Sequence, residues 1–290
     1  MFKKSYFLNF KISALNPSLV AFYFLTSFFV SACGAQFQTI DTNTPTTSNP
    51  FEAEQFAVDL DKSSDDDSHL VASFCNSDDL NGFTTSKKKN FVCSILPGTI
   101  RMSKQVYKQR LQVQALRSKS LSTSLAADEA EWLSRIKADY GLDDTSSLQD
   151  LLARVDIVPL PLIIAQAAIE SGWGTSRAAL QGKNLFGIHG SFKKDQCLEA
   201  QENKKVCIKR YNSTVEGVSD YIQFLNTKTS SEFFRKKRAG FRSAQVPLDP
   251  LQLAATLNLY SETGTTYTKY LQKMMIDQNF LRFVFTENNR

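Results

Sequence analysis

The fold is decided by the stretch Pro161-Leu-Ile-Ile-Ala-Gln-Ala-Ala-Ile-Glu170-Ser-Gly-Trp-Gly174, a helical run that is almost wholly apolar. It ends on one carboxylate, Glu170, and two glycines follow closely. A carboxylate buried without a partner is costly, so it takes up a proton and its pKa rises. The negative potential at a helix C-terminus acts in the same direction. The pattern predicts a Glu170 that stays protonated near neutral pH, as a general acid must. The alternative is an exposed glutamate at a frayed helix end.

The residues after Glu170 favour the catalytic interpretation. Trp173 stands where an indole can flank the carboxyl and stack on a sugar face, and the glycines on either side allow a sharp turn. After a short spacer, Asn184-Leu-Phe-Gly187 predicts an apolar turn that forms one wall of a cleft. We therefore take Trp173, Asn184 and Phe186 as candidate substrate-binding residues.

These motifs also resemble those of a known family. Glu170-Ser-Gly-Trp-Gly-Thr-Ser followed by Asn184-Leu-Phe-Gly-Ile is similar to the signature of bacterial glucosaminidases that cut peptidoglycan, specifically the Bax-like branch. The resemblance runs from about Phe91 to Phe285, with Val155-Asp-Ile-Val-Pro159 and Tyr260-Ser-Glu-Thr-Gly264 as further landmarks. It implies a lysozyme-like fold and an enzyme that needs no cofactor.

Hydrophobic periodicity predicts a mainly α protein with a small β-hairpin lobe, an α+β arrangement with a lysozyme-like cleft. Helices are predicted over 100–121, 129–140, 147–155, 214–226, 250–260 and 266–277, besides the run that carries Glu170, and a hairpin over 195–211. We divide the chain into a signal segment (1–33), a disordered acidic tether (34–69), an N-terminal extension with a basic helix (70–125) and the glucosaminidase domain (126–290). Residues 71–89 form either a cap or a continuation of the tether.

The N-terminus is typical of an exported lipoprotein. Three lysines precede an apolar run from about Leu19 to Val30, which is too short to span a bilayer comfortably. It leads into Ser31-Ala-Cys33, which resembles a lipobox in which Cys33 is lipidated. The alternative is an ordinary signal peptide cleaved beyond Ala35. A lipidated Cys33 predicts a periplasmic protein anchored to a membrane, the outer more than the inner, since no Asp follows it.

The remaining four cysteines suit an oxidising compartment. Three pairings are possible, and short loops favour Cys75 with Cys93 and Cys197 with Cys207. No metal site is expected, because the cysteines lack C-x-x-C spacing and the chain has only two histidines. We interpret His189 as a loop histidine rather than a catalytic base.

Charge is distributed unevenly along the chain. The net charge is +5, but the segment from Gly34 to Ser68 carries −7 and the chain from His69 onwards carries +9. A basic body is attracted to acidic stem peptides and anionic wall polymers, although scattered lysines and arginines equally serve to solvate a surface. The export signal argues against nucleic acid as a partner.

The sequence leaves open which group acts together with Glu170 in catalysis. A second carboxyl is expected about 5 Å away in a retaining enzyme and farther away in an inverting one. If Cys197 faces Cys207 across the hairpin, Glu199 faces Lys205, which makes Glu199 the candidate. The alternatives are a cross-strand salt bridge of Glu199 with Lys205, and attack by the 2-acetamido group of the substrate itself.

Two tyrosines complete the candidate site. The resemblance places Tyr260 in the cleft near the acid, where its phenol would hold the acetamido group or the attacking water; a core tyrosine is the alternative. Tyr267 and Phe186 are either sugar-stacking surfaces or core residues. We expect a monomeric peptidoglycan hydrolase that cleaves at N-acetylglucosamine, with a lytic transglycosylase and a non-catalytic wall-binding lipoprotein as the rival interpretations.

Overall fold

The computed structural model describes residues 55–62, 64–78, 82–200 and 205–287. The predicted signal segment, the lipidation site Cys33 and most of the predicted tether lie outside these residues. Within them, no helix combines the length and the apolar character needed to cross a membrane.

The described chain is mainly helical, with four short strands. In chain order the elements are β1 (Phe56–Asp59), α1 (Ser64–Asn76), α2 (Ser86–Ser120), α3 (Ala127–Asp139), α4 (Leu148–Arg154), α5 (Leu160–Ser171), α6 (Arg177–Gly182), β2 (Cys197–Glu199), β3 (Cys207–Lys209), α7 (Thr214–Thr227), α8 (Glu232–Ser243), α9 (Pro250–Ala254), α10 (Thr265–Asp277) and β4 (Phe283–Thr286). Short 3-10 turns precede α8 and β4. The predicted fold class, mainly α with a small hairpin, is confirmed.

The helix that carries Glu170 is the centre of the fold. Every residue of α5 from Leu160 to Ala168 is buried, and the helix packs against α2, α9, α10 and β4. Pro161 occupies the first turn, where a missing N–H costs nothing. A helix that is apolar on all sides is stable only when it is enclosed, so the composition of α5 accounts for its central position.

The tether was predicted to extend to residue 69, but its last part belongs to the folded body. β1 pairs in parallel with β4, with Phe56 opposite Phe283 and Val58 opposite Phe285. Phe56, Val58 and Leu60 are all buried. Large apolar residues at every second position are a strand signal, and the surrounding acidic residues obscured it. The tether prediction is therefore wrong from residue 56 onwards.

The basic helix starts fourteen residues earlier than predicted and continues through Pro97 as α2. Its first half packs on α1 and α7, and its second half, with Val113 and Leu116, joins α3 and α4 in a second core. The disulfide between Cys75 and Cys93 ties α1 to α2, as the short loop favoured. Because α2 contributes to both cores, the structure has no boundary between the predicted extension and the domain that follows it.

A buried carboxylate joins the two cores. Asp156 is 1% exposed and accepts two hydrogen bonds from Arg242, at 2.8 and 2.9 Å. Arg110 lies 3.4 Å from the same carboxylate and Arg238 lies 3.8 Å from it. Burial by itself would raise the pKa of Asp156, but the three arginines outweigh it and hold that pKa below its ordinary value. The Val155–Pro159 landmark is thus a structural junction.

The predicted hairpin exists, with the predicted disulfide between Cys197 and Cys207. Its register differs from the prediction, since Cys197 stands opposite Lys209 and Glu199 stands opposite Cys207. The disulfide therefore joins diagonal neighbours, which are also within reach of each other across an antiparallel pair. A cysteine pair alone does not fix a strand register.

Candidate active site

Glu170 lies at the C-terminal end of α5, where the buried helix reaches the surface. The Tyr267 hydroxyl donates a 2.7 Å hydrogen bond to its Oε1 atom. Burial raises the pKa of Glu170 from its ordinary value of 4.5 to about 7, and the bond from Tyr267 offsets part of that rise. A carboxyl with this pKa holds a proton near neutral pH and can release it, as general-acid catalysis requires.

Two buried side chains hold Tyr267 in position. Gln166, one turn before Glu170 on α5, donates from its Nε2 atom to the Tyr267 hydroxyl at 2.9 Å. The Tyr221 hydroxyl on α7 donates to the Oε1 atom of the same glutamine. Gln166 and Tyr221 are both 0% exposed. The orientation of the acid is therefore fixed by a chain of hydrogen bonds that crosses three helices.

A second tyrosine lies beside the first. The rings of Tyr260 and Tyr267 are stacked, with centroids 5.8 Å apart. Burial, followed by the nearby charge of Glu170, raises the pKa of Tyr260 well above its ordinary value, so the phenol stays protonated. Its hydroxyl donates to the carbonyl of Phe186 at 3.0 Å. The structure thus brings Glu170, Tyr260 and Tyr267 together.

A tight turn ends the helix directly after the acid. Gly172, Trp173 and Gly174 all have positive φ, at 56°, 59° and 77°. Glycine adopts this region freely, whereas for a bulky residue such as Trp173 it is strained. Ser171 stabilises the turn, since its hydroxyl accepts from the Gly174 N–H at 2.7 Å. The Glu-Ser-Gly-Trp-Gly motif therefore encodes a fixed turn that places Glu170 at the helix end.

Trp173 does not take the position predicted for it. Its indole packs edge-on to Phe91 at 5.7 Å and against Phe280 at 6.1 Å, and the Lys88 ammonium lies 5.0 Å from the ring centre. Those contacts tie the turn to α2 and to the chain before β4. The indole that was predicted to stack on a sugar thus packs against the body of the protein.

Asn184 and Phe186 are also structural. Asn184 is 1% exposed; its amide donates to the carbonyls of Ile188 and Lys209, and its Oδ1 atom accepts from two backbone N–H groups of the loop. Phe186 is 2% exposed and stacks on Tyr221 at 3.9 Å. Tyr267, at 7% exposed, is likewise a core residue rather than a stacking surface. The loop reaches the tyrosines through its backbone, since the Phe186 carbonyl accepts from the Tyr260 hydroxyl.

Glu199 stands apart from this cluster. It lies exposed on β2, and its backbone carbonyl accepts from Arg177 at 2.8 Å. Among the described residues, burial raises the pKa of Glu170 and the hydrogen bond from Tyr267 lowers it, whereas a second carboxylate close by would raise it further. The backbone of His189, which was predicted to be a loop histidine, forms an isolated β-bridge with Ile208.

The sequence interpretation missed three residues of the site, Gln166, Ser171 and Tyr221. Gln166 carried a signal, because it is the one polar residue before Glu170 in an otherwise apolar helix and lies one turn away from it. No signal pointed to Tyr221, since an aromatic residue on the apolar face of α7 is typical of a core. In the described part of the chain, no three His, Cys, Asp or Glu residues are grouped as a metal site would require.

The part of the chain that is similar to known proteins contains the residues of this site. Residues 145–280 match the family described as mannosyl-glycoprotein endo-beta-N-acetylglucosaminidase, a glucosaminidase family, and this region contains the whole tyrosine cluster and Glu170. Protein bax of Escherichia coli (strain K12) is 38% identical over 131 residues, which are 45% of this chain and 47% of that protein.

A second curated relative is more distant. Exo-glucosaminidase LytG of Bacillus subtilis (strain 168) is 31% identical over 90 residues, 28% of this chain and 32% of that protein. The chain thus spans half or less of the length of these relatives. No solved structure shows a significant match. The predicted resemblance to Bax-like glucosaminidases is confirmed.

Proposed function

We propose that this chain, in which residues 145–280 form a glucosaminidase-family domain, hydrolyses the glycan strands of peptidoglycan at N-acetylglucosamine. The observation that carries the proposal is the Glu170 carboxyl, raised to a pKa of about 7 at the tip of a buried helix and oriented by Tyr267. A protonated carboxyl in a fixed orientation is the group that glycosidic cleavage needs.

In the proposed reaction, Glu170 donates its proton to the oxygen that leaves the anomeric carbon. Tyr267 holds the carboxyl throughout and stabilises the carboxylate that remains after the proton has gone, because its hydroxyl donates to Oε1. Tyr221 and Gln166 keep that hydroxyl in place. These three are positioning residues, and Glu170 is the catalytic one.

For the nucleophile we favour the 2-acetamido group of the substrate. A protein nucleophile would stand about 5 Å from Glu170, and no carboxylate in the described residues contributes to the pKa of Glu170. Tyr260, stacked on Tyr267 next to the acid, is the residue we assign to orienting the acetamido group or the attacking water. The role of second catalytic carboxyl, for which Glu199 was the candidate, is thereby disfavoured.

The test replaces Glu170 by Gln, which keeps the shape of the side chain and removes the transferable proton. Release of sugar fragments from purified sacculi should fall on the order of 10²-fold or more. Glu199→Gln is the matched control, the same change on an exposed carboxylate, and should retain most of the activity. Wild-type turnover by Glu170→Gln would refute the assignment, and an inactive Glu199→Gln would restore the two-carboxylate mechanism.

A lytic transglycosylase is the second candidate. Among the described residues no second carboxylate affects the pKa of Glu170, and such an enzyme works without one. Mass spectrometry of the released fragments separates the two, because hydrolysis leaves a reducing end and transglycosylation leaves a 1,6-anhydro ring. The same spectra distinguish cleavage within strands from release of single sugars at their ends. We expect reducing ends on internal fragments.

We also propose that the protein works in the cell envelope, attached through a lipid on Cys33. The support is the N-terminal sequence, in which a short apolar run leads into Ser31-Ala-Cys33, and the two disulfides, which require an oxidising compartment. Mass spectrometry of the mature N-terminus tests this proposal, and an unmodified residue after Ala35 at the N-terminus would contradict it.

A further inference from the structure

A second concave surface lies outside the matched family segment. It is a groove of about 1170 Å³ bounded mainly by α1 and α2, with contributions from α3 and the first turn of α7. Apart from Val215, every residue that lines it precedes residue 145, where the match to the glucosaminidase family begins. The groove is therefore built by the part of this chain that the family match does not cover.

The charge of the groove is strongly positive. The long helix α2 contains nine lysines and arginines and no acidic residue. Four cations line the groove, Lys62, Arg101, Lys104 and Lys108, against the single carboxylate of Asp67. That carboxylate lies 2.6 Å from Lys104, so it is already paired within the protein.

One stripe of α2 faces the groove and is open to solvent. Arg101, Gln105, Lys108 and Gln112 are all exposed, and their spacing of four, three and four residues puts them on one side of the helix. The stripe is about 16 Å long at 1.5 Å per residue. Among the described residues, Arg101 and Lys108 make no ion pair, and the two glutamines make no side-chain hydrogen bond.

The groove has rigid walls and an aromatic end. The Cys75–Cys93 disulfide lies in its lining and holds α1 against α2. Trp132 on α3, half-buried against the second core, lines the groove beside Gln109 and Gln112. A cleft that is fixed in shape binds a ligand without a large ordering cost.

We propose that this groove is a second binding site for an acidic glycan strand, one that holds peptidoglycan apart from the catalytic cleft. Arginine and lysine recognise the carboxylates of stem peptides, glutamine amides pair with hydroxyl and acetamido groups, and a tryptophan face stacks on a sugar ring. A strand with all three kinds of group matches a groove with all three kinds of partner. The proposal rests on the proposed function only for the identity of the polymer.

The shape of the surface selects a glycan over the other polyanions. A lipid bilayer is flat and meets a protein on a convex or planar face, whereas these cations line a concave groove. Nucleic acid carries a charge at every phosphate and is matched by a dense row of free cations, but the stripe supplies two, separated by uncharged amides. Widely spaced charges along a hydroxyl-rich chain are the property of a peptide-bearing glycan.

The experiment uses the full chain with Glu170→Gln, so that binding is measured without cleavage. The groove variant adds Arg101→Gln and Lys108→Gln to this parent protein. The matched control instead adds Arg117→Gln and Lys228→Gln, which replace two exposed cations outside the groove. The probes are purified sacculi in a sedimentation assay and soluble peptide-bearing glycan fragments in a titration. The groove variant should bind about tenfold more weakly, with a smaller dependence on salt, and the control should bind like its parent.

Two comparisons make the outcome decisive. Neutral oligomers of N-acetylglucosamine should bind parent and groove variant with similar affinity, since the cations then lack their partners. Equal binding of peptide-bearing glycan by groove variant and parent overturns the proposal, and so does a groove-dependent affinity for anionic vesicles or single-stranded DNA that exceeds the affinity for glycan. Failure of the proposed function is seen separately, as a wild-type chain that releases no sugar whatever its binding.

Discussion

Replacing Glu170 by Gln should stabilise the protein in a pH-dependent manner while removing its activity. Below pH 4.5 the glutamate is protonated in both the folded and the unfolded chain, so Glu and Gln are nearly equivalent. As the pH rises to about 7, the unfolded chain ionises while the folded one does not, and the wild type loses stability. Above that pH both states are ionised and the difference is constant.

The magnitude follows from the raised pKa. The pKa of Glu170 lies at about 7 instead of 4.5, and one pKa unit is worth about 1.4 kcal/mol, which sets an upper limit of roughly 3.5 kcal/mol. Glu170 keeps some solvent exposure, which weakens the effect. We therefore expect the Gln variant to be more stable than the wild type by about 2 kcal/mol at pH 8 and by almost nothing at pH 4.

Urea denaturation at a series of pH values between 4 and 8 measures the free energy of unfolding for both proteins, with an unchanged m-value as evidence that both unfold alike. The matched control is Glu199→Gln, the same substitution on an exposed side chain, measured over the same pH series. A difference between wild type and Glu170→Gln that does not change with pH would refute the buried-acid argument, whatever happened to activity.

Three further predictions concern the supports of the site. Tyr267→Phe removes the hydrogen bond that lowers the pKa of Glu170, so the alkaline limb of the activity profile should move to higher pH and the turnover should fall; an unshifted limb would contradict this role. Asp156→Asn leaves buried arginines uncompensated and should cost about 3 to 5 kcal/mol of unfolding free energy, measured with urea. Reduction of the Cys197–Cys207 disulfide should lower activity at temperatures where circular dichroism is unchanged, because the bridge orders a local hairpin; coincident loss of both signals would contradict it.

The sequence was most informative where a local pattern is compatible with only one structure. The apolar run into Glu170 has no stable position except a buried one, so it predicted both the central helix and the perturbed carboxyl. Short loops between cysteines favoured the pairings that the structure contains. Each of these inferences depended on residues that are close together in the chain.

The errors came from partners that are distant in sequence. Phe56 and Val58 pair with residues of β4, which lies more than two hundred residues later in the chain. The role of Tyr267 depends on Gln166, about a hundred residues earlier, and no local pattern distinguishes a tyrosine that holds an acid from one that stacks on a sugar. Glu199 was assigned through a strand register that the diagonal disulfide does not impose.

The five residues from Glu170 to Gly174 combine two features that oppose stability. The buried acid costs about 2 kcal/mol above neutral pH, and a tryptophan at positive φ stores strain on the order of 1 kcal/mol or more. A fold under selection for stability alone would place neither at the end of its central helix. Both persist because the surrounding contacts hold them, with Trp173 packed against Phe91 and Phe280 and the acid held by Tyr267. Local destabilisation that the rest of the fold supports is characteristic of a catalytic site, so these two features support the proposed role of Glu170 without reference to any relative.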